Sequence, residues 1–380
     1  MKSKPIFVKP AGRLIDRETV AWYDVTFREM IDTYYNTGDI AVYESTLRLL
    51  DYDLGRSHLL NIDLERDAAL DRSDAGHDYI CLRGSNYIHE EMDWGHFGAW
   101  IERLDLPVLC IGVGAQAATR RRIILPPDGL RIWKLISDRC TSIGVRGTFT
   151  AEVLNDNGIK NTEIVGCPTL FRSRNPMLAL RAKPFAEIAT VSFSIRRETD
   201  HSYTTDIPAF LGRQRAIVER LAGAYDLYLT AHGEIEEKIL FHKDPKRLAE
   251  AYATLRQQHW FAGEDSLMQR LYETRLFFTG VVGHLEQFMH RMDATIGYRV
   301  HGVLPALAQG IPAVLLDYDA RSAELAETLD VPLITPQEAL DLPFAEIFSS
   351  ARFLRFERHY PAHYLRMKRF LERNGIAHRM

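Results

Sequence analysis

Three arginines and one histidine stand where apolar runs give way to amphipathic ones. Arg196 follows Ala189–Ile195 (ATVSFSI). Arg299 and His301 lie in Tyr298-Arg299-Val300-His301-Gly302, after Ala294–Gly297. Arg321 follows Ala313–Asp317 and Tyr318. A guanidinium fork holds a carboxylate or phosphate bidentately, and an imidazole can move protons near neutral pH. A strand ending in R-x-H-G and turning into a helix puts both side chains at the carboxyl edge of a sheet, where open α/β sheets bind ligands. The helix N-terminus adds free amide donors suited to an anion, and Gly302 lets a ligand approach the backbone. A lone histidine there is more often structural; Arg, His and Gly together at one strand end favour a site. Cations after three separate strands ask for a small, multiply charged anion, with His301 as the acid/base candidate. Arg197 is the register alternative to Arg196.

A second group is poorer in charge. Gly112-Val113-Gly114-Ala115-Gln116 follows the apolar run Pro107–Gly112 and nearly makes a dinucleotide fingerprint, which alone is weak evidence. Arg120, Arg121, Arg122 and then Pro126-Pro127 follow it. That stretch is not expected to open a good helix, so Gly112, Gly114 and Gln116 are read as a cleft lip, not an NAD site. The three arginines are either a solvated loop or a phosphate contact. Asn36-Thr37-Gly38-Asp39 forms a turn before a helix over Gly38–Leu50, with Asp39 as its expected cap and a second use of the turn at the cleft. His232, after Asp226–Thr230, is a looser candidate for the same edge. No Ser-His-Asp set, P-loop or His/Cys metal spacing is present, and no metal or cofactor is expected.

The elements that must position these groups alternate short apolar runs with amphipathic stretches, the signature of α/β. The first series reads as strands at His77–Arg83, Pro107–Gly112, Cys140–Val145 and Asn161–Gly166, with a helix at Thr148–Asn157. The second reads as strands at Ala189–Ile195, Asp226–Thr230, Leu276–Thr279, Ala294–Gly297 and Ala313–Asp317. Helices are expected near Phe210–Ala224, Leu248–Gln258, His284–Met292 and His301–Gln309. This predicts two Rossmann-like lobes, 1–180 and 181–344, joined through Phe171–Glu187 and followed by a tail, 345–380. The tail carries eight Lys/Arg against three Glu, with Phe353, Phe356, Tyr360, Tyr364 and Phe370 interleaved at helical spacing. The plainer reading is a helix packing across the lobes with a solvated basic face. The other is weak contact with an anionic membrane surface.

Composition narrows the function classes. The 380 residues are 46% hydrophobic and 26% charged, with a net charge of −4, which disfavours disorder and a strongly basic nucleic-acid binder. The four cysteines form no C-x-x-C pair, and their sparse use suits a reducing compartment. No apolar run reaches the length of a membrane span, and Met1–Pro10 lacks a signal-peptide core. A cytoplasmic protein is expected.

In these residues the chain resembles the polysaccharide pyruvyl transferase family. The pieces that match are NTGD, the strand ICLRGS, GVGAQ, the VRG-helix-GCPTLF block (Val145 to Phe171) and RVHGVLPALAQGIPAVLLDYDAR, in order from Asn36 to about Leu333. The last is the most specific. The resemblance implies a fold similar to GT-B glycosyltransferases. It implies transfer of pyruvate from phosphoenolpyruvate to two hydroxyls of one sugar, giving a cyclic ketal. The family's essential His falls on His301, its donor-binding Arg on Arg196 or Arg197, and its basic residue after the Tyr-Asp strand on Arg321. Arg299 and Gly302 join the donor set; Asn36, Asp39, Gly112, Gly114, Gln116 and His232 are assigned to the cleft and acceptor side. Many relatives have Asp where this chain has Gly147. The implied partners are phosphoenolpyruvate and a sugar or lipid-linked oligosaccharide at the inner face of the membrane. The competing readings are a GT-B glycosyltransferase using a nucleotide sugar, which would want a ribose-binding Glu that Glu324 and Glu327 fill poorly from within a helix, and a non-enzymatic sugar-binding module.

Overall fold

The computed structural model describes residues 2–8, 12–21, 36–60, 76–92, 94, 96–199, 204–263 and 265–380. Two parallel sheets carry the chain. The first has four strands, β1 (Pro5–Val8), β2 (His58–Leu60), β3 (Tyr79–Leu82) and β4 (Val108–Cys110), in the order β2-β1-β3-β4. Beyond β4, β5 (Ile143–Val145) and β6 (Thr162–Ile164) pair with each other and meet the sheet through a single Val113–Val145 bridge. The second sheet has six strands. They are β7 (Thr190–Ser194), β8 (Asp226–Thr230), β9 (Leu276–Phe277), β10 (Ala294–Gly297), β11 (Ala313–Leu316) and β12 (Leu333–Ile334), in the order β9-β8-β7-β10-β11-β12. The strands at the centre of both sheets are buried on both faces, which is why they read as continuous apolar runs and not as alternating ones. The architecture is α/β with two Rossmann-like sheets.

Several elements depart from expectation. Pro5–Val8, four residues long, lies inside the first sheet between β2 and β3. It is too short and too close to Lys2 and Lys4 to announce itself. Pro127 does open a helix, Pro127–Asp138, because proline is well suited to the first helical position, where no N–H is needed. The long insert after His232 holds three helices, Ile235–His242, Leu248–Gln257 and Leu267–Arg275.

One apolar cluster joins the two sheets. It gathers Phe7 and Leu109 from the first sheet, Leu315 from the second, Tyr43, Leu304 and Leu325 from helices packed on them, and Phe356, Tyr360, Tyr364, Met367 and Phe370 from the terminal helix Ser350–Arg373. Phe370 fills the space a side chain on Gly144 would take. Phe353 belongs to the core of the second sheet. The tail's aromatics are thus all buried, and its surface ridge is Leu354, Arg355, Arg358, Leu365, Arg366 and Arg369. No helix among the described residues is long and apolar enough to cross a membrane.

Candidate functional site

The site forms where the carboxyl ends of the second sheet's strands meet the first lobe. After β10, Arg299 stands at the N-cap of the helix Val300–Ala308, and His301 falls in its first turn. The next turn is closely packed: a side chain on Gly302 would run into Ser194 at the end of β7 and lie 3.3 Å from His232 Nε2. A side chain on Gly38 would lie 2.8 Å from His301 Nδ1, so the helix Thr37–Leu49 is set directly against the imidazole. That helix is docked onto the second lobe. The Thr37 amide donates to the His232 carbonyl at 2.7 Å, and its hydroxyl donates to the Thr279 carbonyl at 2.9 Å. The cap of this helix is Asn36, whose Oδ1 accepts from the Gly38 amide at 2.8 Å, and not Asp39. The Asp39 carboxylate instead turns to Arg83, 3.4 Å away on the first-lobe wall.

His301 retains partial exposure and lies 3.7 Å, through Nε2, from the buried Cys167 Sγ. Burial pushes its pKa well below 6.5, and Arg146, Arg321, His232 and Arg83 all act in the same direction. The resting imidazole is therefore neutral at pH 7, with guanidinium charge facing it from both lobes. Arg83 follows β3, and Arg146 follows β5. Both are buried. Arg146 donates to the Gly112 carbonyl at 3.1 Å and to Asn86. Burial lowers the Arg146 pKa, and the nearby Arg321 charge lowers it further, against Cys167, Glu324 and Asp39. Sequence reasoning quoted the ICLRGS and VRG segments without assigning these arginines to the site. The strand-end rule applied to the second lobe would have found both.

The second-lobe candidates divide. Arg196 lies over the Tyr318 ring at 5.3 Å, and its backbone is clamped by the Gln214 side chain, which accepts from its N–H and donates to its carbonyl. Arg321 bonds to the Tyr318 hydroxyl and pairs with Asp319 at 3.2 Å. Tyr318 thus sits between the two cations. Arg197 and Arg299 are held elsewhere. Arg197 pairs with Glu236 and bidentately with Glu237, and reaches Gln258 at 2.7 Å. Arg299 pairs with the fully buried Glu234 and donates to the Ile195 carbonyl at 3.2 Å. Burial alone would raise Glu234, but the Arg299 charge and backbone bonds outweigh it and hold it at about 2. Arg197 and Arg299, both expected in the donor set, are thus each paired with carboxylates of their own lobe, as Arg321 is with Asp319.

His232 lies beneath Gly302 in the second lobe and is 1% exposed. Its Nε2 is 3.2 Å from Ser194 Oγ, and burial with Arg299 drives its pKa to about 3. Gly112, with φ at +70°, packs on Pro168 and Gly166, and Gly114 lies against the stem of Arg146. Gln116 accepts from Asn86 at 3.2 Å, which puts the glycine-rich segment beside Arg146. The arginine loop after it is spent on surface pairs: Arg120 with Glu327, Arg121 bidentately with Glu90, and Arg122 with Asp156. Among the described residues, no group of three His, Cys, Asp or Glu is arranged to hold a metal ion.

Several solved structures resemble the chain in outline. A UDP-GlcNAc 2-epimerase from Neisseria meningitidis bound to UDP-GlcNAc has 10% identity and a TM-score of 0.45, with 98% of this chain and 99% of that one covered. The S. aureus protein MnaA, solved with UDP, has 12% identity and a TM-score of 0.47, with 97% and 95% covered. Anabaena HepE, in complex with UDP and glucose, has 12% identity and a TM-score of 0.44, with 98% and 95% covered. A search of curated sequences finds no match. The family model described as polysaccharide pyruvyl transferase matches residues 36–320, the span from the Asn36 cap to the start of the helix that carries Arg321. That match covers most of the chain, and the protein belongs to the polysaccharide pyruvyl transferase family.

Proposed function

We propose that the protein transfers the pyruvyl group of phosphoenolpyruvate onto two hydroxyls of one sugar, in a polysaccharide or its lipid-linked precursor, to form a cyclic ketal. The observation that carries the reading is the neutral His301 facing cations drawn from both lobes: Arg83 and Arg146 from one, Arg321 from the other. A donor with a carboxylate and a phosphate needs several such partners. Each charge-assisted hydrogen bond contributes roughly 1.5–3 kcal/mol. On the second lobe, Arg196 and Arg321 flank Tyr318 and take the two anionic groups.

The proton inventory fits one imidazole. The electron pair of the donor's double bond takes up a proton at the methylene carbon, which becomes methyl, while the first sugar hydroxyl bonds to the central carbon; the proton gained equals the one the hydroxyl loses, and His301 is the group that relays it. The second hydroxyl then bonds to the same carbon as its bond to the phosphate oxygen breaks, and the second proton leaves with phosphate.

Phosphoenolpyruvate is expected to raise the melting temperature, and Arg196→Ala to remove most of that shift. Stabilisation by UDP- or GDP-sugars without any by phosphoenolpyruvate would sink the pyruvyl reading in favour of a nucleotide-sugar glycosyltransferase. The carboxylates available for a ribose do not favour that alternative, since Glu324 is bonded to Thr150 and Glu327 to Arg120.

The acceptor side of the proposal places the enzyme in the cytoplasm at the membrane face. With the tail's aromatics buried, lipid contact would fall to its exposed arginines and to Leu354 and Leu365. Each basic residue near an anionic surface contributes about 1 kcal/mol before screening. Sedimentation should show weak binding to anionic vesicles at low salt, loss of it at physiological salt, and none to neutral vesicles. Equal, negligible binding to both would leave the tail a purely structural element.

A further inference from the structure

We propose that Glu324 is a positioning residue that holds Arg146 of the first lobe and Arg321 of the second together as one anion site. The inference rests on reading the arginine-lined cleft as the donor site. Glu324 lies in the helix Ala320–Leu329, one turn after Arg321, and is fully buried. Its carboxylate crosses to the first lobe. Oε1 accepts from the Thr150 amide at 2.6 Å, and Oε2 accepts from the Thr150 hydroxyl at 2.9 Å. Thr150 is in the first turn of the helix Thr148–Asp156, which begins two residues after Arg146. The N-cap of that helix is Gly147, which has no side chain to supply the bond. Glu324 therefore caps a helix of the opposite lobe, and the absence of a side chain at Gly147 makes room for it. Any Cβ there would run into Glu324 and Thr328.

The link continues into the glycine-rich segment, because the Thr150 hydroxyl also accepts from the Ala115 amide at 2.9 Å. Two further contacts brace the same helix against the first lobe: the Ala320 amide donates to the Ala117 carbonyl at 3.2 Å, and Arg120 pairs with Glu327. The charges give the latch its purpose. Arg146 and Arg321 are close enough for each to act on His301 and for Arg321 to lower Arg146. Like charges from separate lobes repel before any ligand arrives, and a buried carboxylate tied to both carriers offsets that repulsion. Desolvation raises Glu324 to about 7 against its bonds to Thr150 and the nearby Arg146, so the tie is made by its hydrogen bonds as well as its charge.

The test uses inorganic phosphate as the probe, followed by thermal shift and calorimetry on the full chain. Wild type should bind phosphate, and Arg321→Ala should abolish that signal, which assigns it to this site. Loss of a buried, charge-assisted link predicts that Glu324→Ala weakens phosphate about tenfold or more. In turnover it should raise the KM for phosphoenolpyruvate and leave kcat within about threefold, because the His301 chemistry is untouched. Glu324→Gln keeps an acceptor for the Thr150 amide but loses the charge, and should weaken phosphate by less than the alanine variant does. Glu324→Asp, one methylene shorter, covers the case in which the alanine variant does not fold; it should weaken phosphate by an intermediate amount. Folded Ala or Asp variants with wild-type phosphate affinity and only a lower melting temperature would overturn the proposal. So would a Gln variant as weak as the Ala variant, or a wild type that binds no phosphate. Phosphate binding that depends on Glu324, with no turnover of phosphoenolpyruvate, would reject the donor reading and leave the latch standing.

Discussion

Replacing His301 by alanine should lower turnover by about 10²–10⁴, the range expected for removal of a general acid/base, and leave the melting temperature close to that of wild type. The physical basis is the setting of the ring. It is partly exposed to the cleft, contacts Cys167 only at 3.7 Å, and belongs to a helix whose core is carried by Val303, Leu304 and Leu307. Loss of the imidazole therefore removes little packing. Its pH signature has a definite sign. Burial and the four cationic or imidazole neighbours hold the free-enzyme pKa well below 6.5, so the acid limb of kcat/KM that reports His301 should fall below that value. Removing Arg146 or Arg321 should move the limb upward, since each now disfavours the imidazolium. A variant with near-normal turnover would move proton transfer elsewhere, and His232 would be the next residue to replace.

Arg146→Ala and Arg321→Ala form the second large prediction. Each removes a cation facing the donor anion, and a loss of roughly 1.5–3 kcal/mol corresponds to about a 10- to 150-fold rise in the donor Kd. The two losses should not add, because the charges act on each other and the proposed donor site uses both for one ligand. The lysine variants separate their roles. Arg321→Lys retains a charge where the side chain bonds to Tyr318 and pairs with Asp319, and should recover much of the affinity. Arg146→Lys should recover little. Its fork also holds the Gly112 carbonyl and Asn86 while its stem packs on Gly114, and an ammonium cannot make the same planar contacts. Titration of phosphoenolpyruvate by calorimetry reads all four variants. Unchanged donor affinity in both alanine variants would remove these arginines from the site.

Much of the second lobe could be read from local pattern. Strands β7, β8, β10 and β11 are short apolar runs followed by chemistry-bearing residues, and R-x-H-G lies at a strand end that opens a helix. Two further departures in the first lobe, besides the helix at Pro127, have simple causes. Pro5–Val8 is too short to show a period, yet burial between β2 and β3 makes it a strand. The cap at the NTGD turn went to Asn36 because the side chain one residue before the helix reaches the free amides, whereas Asp39 is already inside the first turn.

By itself the sequence determined the α/β class, the series of strands, and the placing of Arg196, His301 and Arg321 at strand ends, because periodicity and turn residues act over a few positions. It also carried the family motifs. Only the tertiary structure decided which cations are engaged by buried carboxylates. Arg197 meets Glu237 forty residues on, and Arg299 meets Glu234 sixty-five residues back. It also brought Arg83 and Arg146 across from the first lobe to His301, and Glu324 to a helix end 174 residues away. Such pairings depend on which sheet edges face each other once the shared apolar cluster has closed, and local spacing does not encode that distance. The cost of leaving a charge or helix end unsatisfied in the interior is what selects them.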